Sequence, residues 1–370
     1  MKKSLKFIIL FIVGQLMLLT LPNSDIKAQP SGKLSGLFFM DYYYNVMRDT
    51  GIAALPNTVL KGGENVNGFQ IRRIYLTYDY KVNDKLSSRL RLESDEANFT
   101  SNLAGNKANK FGMFVKDAYI KWNYFGRHDL YIGIQGPPTF EISERIWENR
   151  YIEKTTIDVR GICPSRDQGI SLRGSIDSSG MFKYWLMVAN GTPSVPEADK
   201  YKRFYGHLEV NPFKNFVITL FGEYHARAKI NNAFIAGNML DNNITTAALF
   251  FGYRKKDKFS GGIEVFHRSI QNGYKLTDSY TDQGIYGYSV FATYHFSKKV
   301  NAFARYDKFE PNNHTLSEGD TRDLIMAGVA FKPASNFIIS PNIYVETHEK
   351  TAARTIKNSV SPRITLSWSF

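Results

Sequence analysis

Along this 370-residue chain, short turn-forming connections alternate with long irregular ones, and the segments between them carry apolar residues at every second position. The short connections are Val82-Asn83-Asp84, Gly126-Arg127-His128, Asp177-Ser178-Ser179-Gly180, Asn211-Pro212-Phe213, Lys256-Asp257, Ser297-Lys298 and Pro333-Ala334-Ser335-Asn336. They are rich in residues that accept turn geometry. The long ones fall near 48–66, 97–111, 137–165, 191–201, 228–242, 270–283, 310–321 and 349–358. A side-chain period of two belongs to a β-strand with one apolar and one polar face. About 16 such segments can be counted, each of roughly the length a tilted membrane-crossing strand needs. A soluble β-protein has no reason to keep short turns at one end and long loops at the other throughout.

The last segment shows the alternation most clearly. Val360, Pro362, Ile364, Leu366, Trp368 and Phe370 share one parity, opposite Ser359, Ser361, Arg363, Thr365, Ser367 and Ser369. The same pattern sets Leu86, Leu90 and Leu92 opposite Arg89, Arg91 and Glu93, and Val300, Ala302, Ala304 and Tyr306 opposite Asn301, Arg305 and Asp307. The alternation is poorest near Lys116, Phe250 and Leu324, where a one-residue slip would exchange the two faces.

The first 28 residues read as an export address: positive charge at Lys2 and Lys3, an apolar run from Phe7 to Leu21, and a small residue, Ala28, before Gln29. After Leu21 no run reaches the ~20 residues of a spanning helix, so a membrane-borne mature chain must be a closed barrel. A mean hydropathy of −0.31 fits a barrel, in which alternate residues meet lipid, and 14% aromatic content fits interfacial girdles. The expectation is an all-β chain: a cleaved signal peptide (1–28), then one transmembrane antiparallel barrel (29–370) in a bacterial outer membrane. The net charge of +13 points to an anionic surface or anionic solutes; export argues against nucleic acid. The single cysteine, Cys163, allows no intrachain disulfide and no CxxC site. The seven histidines form no HxxxH or HxH pair, so no metal or cofactor is expected.

The connection at 137–165 stands apart. About 30 residues is too long for a hairpin loop, and Phe140, Ile146, Trp147, Ile152, Ile157 and Val159 are spaced through charge. Such a segment needs a surface to bury against, and the inner wall of a barrel supplies one. Folded inward, it would bring Arg145, Arg150, Lys154, Arg160 and Arg166 to a constriction; the other reading is an extracellular lid with a solvated face.

The stretch from Glu141 to Ile170, EISERIWENRYIEKTTIDVRGICPSRDQGI, resembles the third-loop region of the phosphate-selective porin O and P family. Gly68 to Glu93, GFQIRRIYLTYDYKVNDKLSSRLRLE, is similar to an early strand pair of the same family. The resemblance implies a 16-stranded, usually trimeric barrel passing anions such as phosphate through a pore lined by arginines and lysines. Arg89, Arg91, Arg173, Lys183, Arg305 and Arg363 fall at the polar parity and are the candidates for that lining. Glu93, Asp95, Glu223 and Asp307 share those faces, giving a mixed wall. A guanidinium suits phosphate because it donates two parallel hydrogen bonds and stays charged. The function expected is therefore a passive water-filled pore, not an enzyme, for small anionic or neutral solutes. Two other classes fit the same frame. One is a lipid-hydrolysing barrel, for which His267 and Ser269 have the spacing of a surface nucleophile and base. The other is a non-conducting adhesive barrel.

Overall fold

The computed structural model describes residues 30–49, 59–60, 62–95, 112–192, 196–317, 321–350 and 355–370. The expected signal segment, 1–28, lies outside them. In chain order the strands are β1 (Ser31–Tyr44), β2 (Asn67–Lys81), β3 (Leu86–Asp95), β4 (Phe114–Phe125), β5 (His128–Gln135), β6 (Asp167–Ser175), β7 (Phe182–Ala189), β8 (Arg203–Val210) and β9 (Phe216–His225). There follow β10 (Ile230–Asn231), β11 (Met239–Leu240), β12 (Ile244–Lys255), β13 (Phe259–Lys275), β14 (Tyr280–His295), β15 (Val300–Glu310), β16 (Arg322–Ala334), β17 (Phe337–His348) and β18 (Ser359–Ser369). Strands β10 and β11 pair only with each other, as a small hairpin inside a long connection. The other 16 form one closed antiparallel barrel in which each strand pairs with its sequence neighbours and β1 closes on β18. Closure leaves no free sheet edge, so the main-chain groups of the wall pair strand to strand without needing water.

The terminal aromatic residue completes that seam. Phe370 exchanges main-chain hydrogen bonds with Gly36, at 3.0 and 3.1 Å. Its ring lies so close over Gly36 that a Cβ there would sit 2.2 Å from it. A larger residue at Gly36 would push the Phe370 ring aside where the last residue docks on the first strand.

The polarity of the wall is inverted relative to a soluble protein. Leu220, Ile263, Val290 and Ile364 point outward and are 45% to 50% exposed, while Thr219, Glu223, Glu264, Ser289 and Arg363 of the same strands point inward and are buried. An outward apolar surface of this extent is stable only against lipid. The chain is a transmembrane β-barrel.

Three sequence expectations need correction. The long connection placed at 270–283 is only four residues, 276–279, because β13 and β14 run past it with a register shift between Ile270 and Tyr274. The inward parity is not polar throughout: on the arc from β9 to β16, Val217, Phe221, Phe250, Phe266, Phe291, Phe303, Phe309, Leu324 and Met326 point inward and are each 5% exposed or less. Strict alternation also fails at two bulges. Phe39 pairs with Arg73 but Met40 with Ile71, leaving Arg72 as the extra residue of β2. Arg91 pairs with Asp117 but Leu92 with Val115, leaving Lys116 as the extra residue of β4. A bulge turns two consecutive side chains toward the same face, and Arg72, Arg73, Lys116 and Asp117 are all buried on the inside.

Candidate functional site in the lumen

The segment between β5 and β6 forms two short helices, α1 (Glu141–Trp147) and α2 (Thr156–Val159), joined by an irregular stretch. It leaves the wall at β5 and makes its contacts on strands far round the barrel. Trp147 is fully buried, with Phe291 and Phe303 edge-on to its ring at 5.2 and 5.8 Å, the Arg305 guanidinium 5.4 Å over it, and its Nε1–H donating to the Glu153 carbonyl. Ile142, Ile146, Tyr151 and Ile152 join the same apolar cluster. Phe140, Ile157, Ile162 and Cys163 fill a second one with Phe221, Phe266 and Phe309. The apolar arc of the inner wall is therefore covered by the apolar side of this segment, and neither faces water.

Polar fastenings surround the apolar contact. Arg72 donates to the Ile152 carbonyl (2.7 Å) and to that of Tyr151, the Tyr344 hydroxyl donates to Ile152 O (2.5 Å), and Arg305 donates to Lys154 O. Asn149 donates to Thr293 (2.8 Å). Arg160 and Glu346 pair at 2.8 Å with both side chains fully buried. Glu148 ends α1 in the left-handed region (φ 58°), a conformation that costs about 1–3 kcal/mol for a non-glycine residue. Its carboxylate is held by Arg254 (2.5 Å), His295 (3.0 Å) and Ser260 (3.2 Å), so wall contacts over-determine the strained turn.

These environments shift the ionisation of the segment. Burial pushes Glu148 upward, but hydrogen bonds from Arg254 and His295 outweigh it and hold the carboxyl below its usual range. Burial likewise opposes ionisation of Glu153 and Asp158, yet Arg72 and Lys154, respectively, lead the charges that bring both down. Glu144 goes the other way: burial lifts it, Arg150 opposes and Asp158 adds to the rise. Burial, then the Glu223 carboxylate, pushes the Cys163 thiol well up; its sulfur donates to Glu223 at 3.0 Å.

The charged edge of the segment faces the arc from β2 to β7. Arg150 pairs with Glu144 (2.6 Å) and Asp158 (3.7 Å), Lys154 with Asp158 (3.8 Å), and Arg166 with Asp117 of β4. Around them on the wall, Arg73 and Lys116 hold Glu93 (3.2 and 2.7 Å), and Arg91 holds Asp117 (3.2 Å). The network holds six cations (Arg73, Arg91, Lys116, Arg150, Lys154, Arg166) against four carboxylates (Glu93, Asp117, Glu144, Asp158).

The sequence-predicted lining residues divide into two groups. Arg89, Arg91, Arg173 and Lys183 lie on the inward parity with side chains 21% to 45% exposed. Arg89 is bidentate on Asp79 (2.6 and 3.0 Å) and Lys183 is 2.8 Å from Glu209. Arg173 is stacked between Tyr131 and Trp185, 3.9 and 3.4 Å from their centroids. Arg305 and Arg363 also point inward but are buried, on Asp307 and Asp41 respectively. Of the segment's own candidates, Arg145 is exposed at the end with the short turns, Arg150, Lys154 and Arg166 sit in the network, and Arg160 is sealed against Glu346. Sequence reasoning missed Arg72, Arg73, Lys116 and Asp117, because strict parity sends one of each adjacent pair outward. The signal was two adjacent charges (Arg72-Arg73, Lys116-Asp117) inside otherwise alternating strands.

The other chemistries gain nothing from the geometry. His267 lies on the outer face stacked on Tyr286 (4.5 Å), and no hydrogen bond joins it to Ser269. Among the described residues no cluster of metal-ligating side chains occurs.

The closed 16-stranded antiparallel barrel is similar in fold to solved bacterial porins. Solved structures share it: an anion-selective porin from Comamonas acidovorans (TM-score 0.63, 12% identity, covering 92% of this chain and 100% of that one) and the outer membrane channel DcaP of Acinetobacter baumannii (0.63, 10%, 95% and 100%). The outer membrane protein OmpT of Vibrio cholerae in its trimer form is a third (0.56, 12%, 93% and 100%). No protein-family model and no curated protein sequence matches the chain.

Proposed function

We propose that this protein is an outer-membrane porin: a passive, water-filled channel for small hydrophilic solutes with a mild preference for anions. The observation that carries the reading is the division of the lumen. One arc is apolar and covered by the crossing segment. The opposite arc keeps Asp79, Arg89, Arg91, Lys121, Asp129, Arg173 and Lys183 as a charged wall whose side chains are 21% to 45% exposed. Charge of both signs beside water suits a diffusion pore, in which sites must be weak enough to release what they bind. The ion pairs at the segment's edge hold six cations against four carboxylates, with Glu153 also beside Lys154 and Arg150; this small cation excess favours anions modestly, and the 137–165 segment is the constriction. The phosphate specificity implied by the O and P resemblance finds less support. The forked donors of Arg89 already grip a carboxylate, and a phosphate would have to displace it. In this reading the short turns and both termini face the periplasm, and three copies assemble, as in the trimer form of the Vibrio cholerae protein.

Single-channel recording of the purified protein in a planar bilayer under a KCl gradient tests it. Stable open steps with a weakly anion-selective reversal potential, little altered by phosphate, are expected. A correctly folded barrel that gives no open steps overturns the channel. Strong block by phosphate would instead favour the specific family function.

A further inference from the structure

A cleft of about 510 Å³ opens at the short-turn end of the lumen, between α1 and the turns that follow β6 and β8. It is lined by the cations Arg145, Lys214 and Arg254 and by the apolar Ile146, Met181 and Val217; no carboxylate lines it. That composition sets it apart from the rest of the inner wall, where nearly every cation named above faces an acid. Arg254 engages Glu148 through its Nε, but Arg145 and Lys214 are exposed and in no ion pair among the described residues. Phe213 and Phe216, stacked at 4.9 Å, border the cleft.

We propose that this cleft binds organic anions that carry an apolar body, such as aromatic or short-chain aliphatic carboxylates. The volume lies within the range of small-molecule sites, and an apolar lining with a few convergent polar groups is the usual make-up of such a site. Arg145, which also feels the Glu209 carboxylate, and Lys214 are in no close ion pair among the described residues and supply charge-assisted hydrogen bonds to a carboxylate. The apolar lining of Ile146, Met181 and Val217 rewards a hydrocarbon body through water release. An inorganic anion would leave that lining wet, and a neutral aromatic would leave the cations unsatisfied, so the site selects for both features together. Its position makes it the last or first surface a solute meets at the short-turn mouth.

Equilibrium binding of 2-naphthoate to the full barrel in a neutral detergent, followed by titration calorimetry, tests the site without reference to conductance. Saturable binding at one site per chain is expected, with 2-naphthylmethanol and inorganic phosphate each bound at least about tenfold more weakly. Arg145→Gln and Lys214→Gln should each weaken naphthoate by about five- to tenfold, the loss of one charge-assisted hydrogen bond, and Lys214→Arg should keep the affinity. Either of two results overturns the proposal: the neutral alcohol or phosphate binding as tightly as naphthoate, or a folded Arg145→Gln/Lys214→Gln double variant binding like the native protein.

Discussion

Arg160 and Glu346 offer a way to measure how firmly the crossing segment is docked. The pair is 2.8 Å apart with both side chains at 0% exposure, and Arg160 also lies 5.1 Å from the Phe309 ring. Removing one partner of a buried pair typically costs about 3–5 kcal/mol, because a charge is left in a medium that cannot solvate it. Arg48 lies near enough to feel the Glu346 charge, so Arg160→Met belongs at the lower end, about 3 kcal/mol, or roughly a 150-fold larger undocked fraction. Cys163 reports that fraction directly. It is the only cysteine, lies three residues beyond Arg160 and is 3% exposed. A maleimide should therefore label it only from the undocked state, and Arg160→Met should raise the rate about a hundredfold. Replacing both partners by apolar residues of similar volume is often neutral or stabilising, so Arg160→Met/Glu346→Leu should return the rate close to native. A single variant labelled at the native rate, or a double variant as fast as the single, would refute the argument that this pair holds the segment by mutual compensation.

Three further outcomes follow from the same contacts. Trp147→Ala should weaken docking by about 3–5 kcal/mol while leaving the barrel intact, read as faster Cys163 labelling with unchanged heat-resistant migration in detergent gels. Acid should loosen the segment. Glu148, Glu153 and Asp158 are held below the ordinary carboxylate range, so their stabilisation is complete above their unfolded values and disappears as pH falls through the lowered ones. Channel noise should therefore rise only below the ordinary carboxylate range, and Glu148→Gln should bring that onset to higher pH; a rise already at neutral pH, or an unchanged onset in Glu148→Gln, would contradict it. Finally, Arg89→Gln should shift the reversal potential toward cations and Asp79→Asn toward anions by similar amounts, because each leaves its partner's charge uncompensated on the exposed wall.

The barrel was legible because a membrane imposes its rule on every strand: each outward residue meets lipid, and the period of two survives even in β18, where Pro362 interrupts an otherwise regular run. The site was less legible because the lumen imposes no such rule. An inward residue can face water, a carboxylate or the docked segment, and β15 mixes the last two: Asn301, Phe303, Arg305, Asp307 and Phe309 share one inward parity, all buried, polar and apolar intermixed. Nothing local to β15 tells Phe303 that Trp147, more than 150 positions earlier, will cover it. The bulges at Arg72 and Lys116 were harder to read for a related reason: adjacent charges hint at an insertion, but only the partner strand's register fixes it.

The apolar arc also decides what deleting the crossing segment would do. In a porin with a wet wall on all sides, removing an inward loop simply widens the pore. Here it would expose Phe221, Phe250, Phe266, Phe291, Phe303, Phe309, Leu324 and Met326 to the lumen, each now 5% exposed or less, and would strip partners from Arg72, Arg305, Glu346 and Asp117. A wall with that much unsatisfied apolar and charged surface should collapse inward or aggregate during assembly. We therefore expect deletion of 140–162 alone to yield little folded barrel by heat-modifiable migration. The same deletion combined with serine or threonine at Phe291, Phe303, Leu324 and Met326 should restore folding and raise the single-channel conductance. Recovery of a wide, stable pore from the simple deletion would show that the inner wall does not depend on its cover, and the division of the lumen into a dry arc and a wet arc would have to be abandoned.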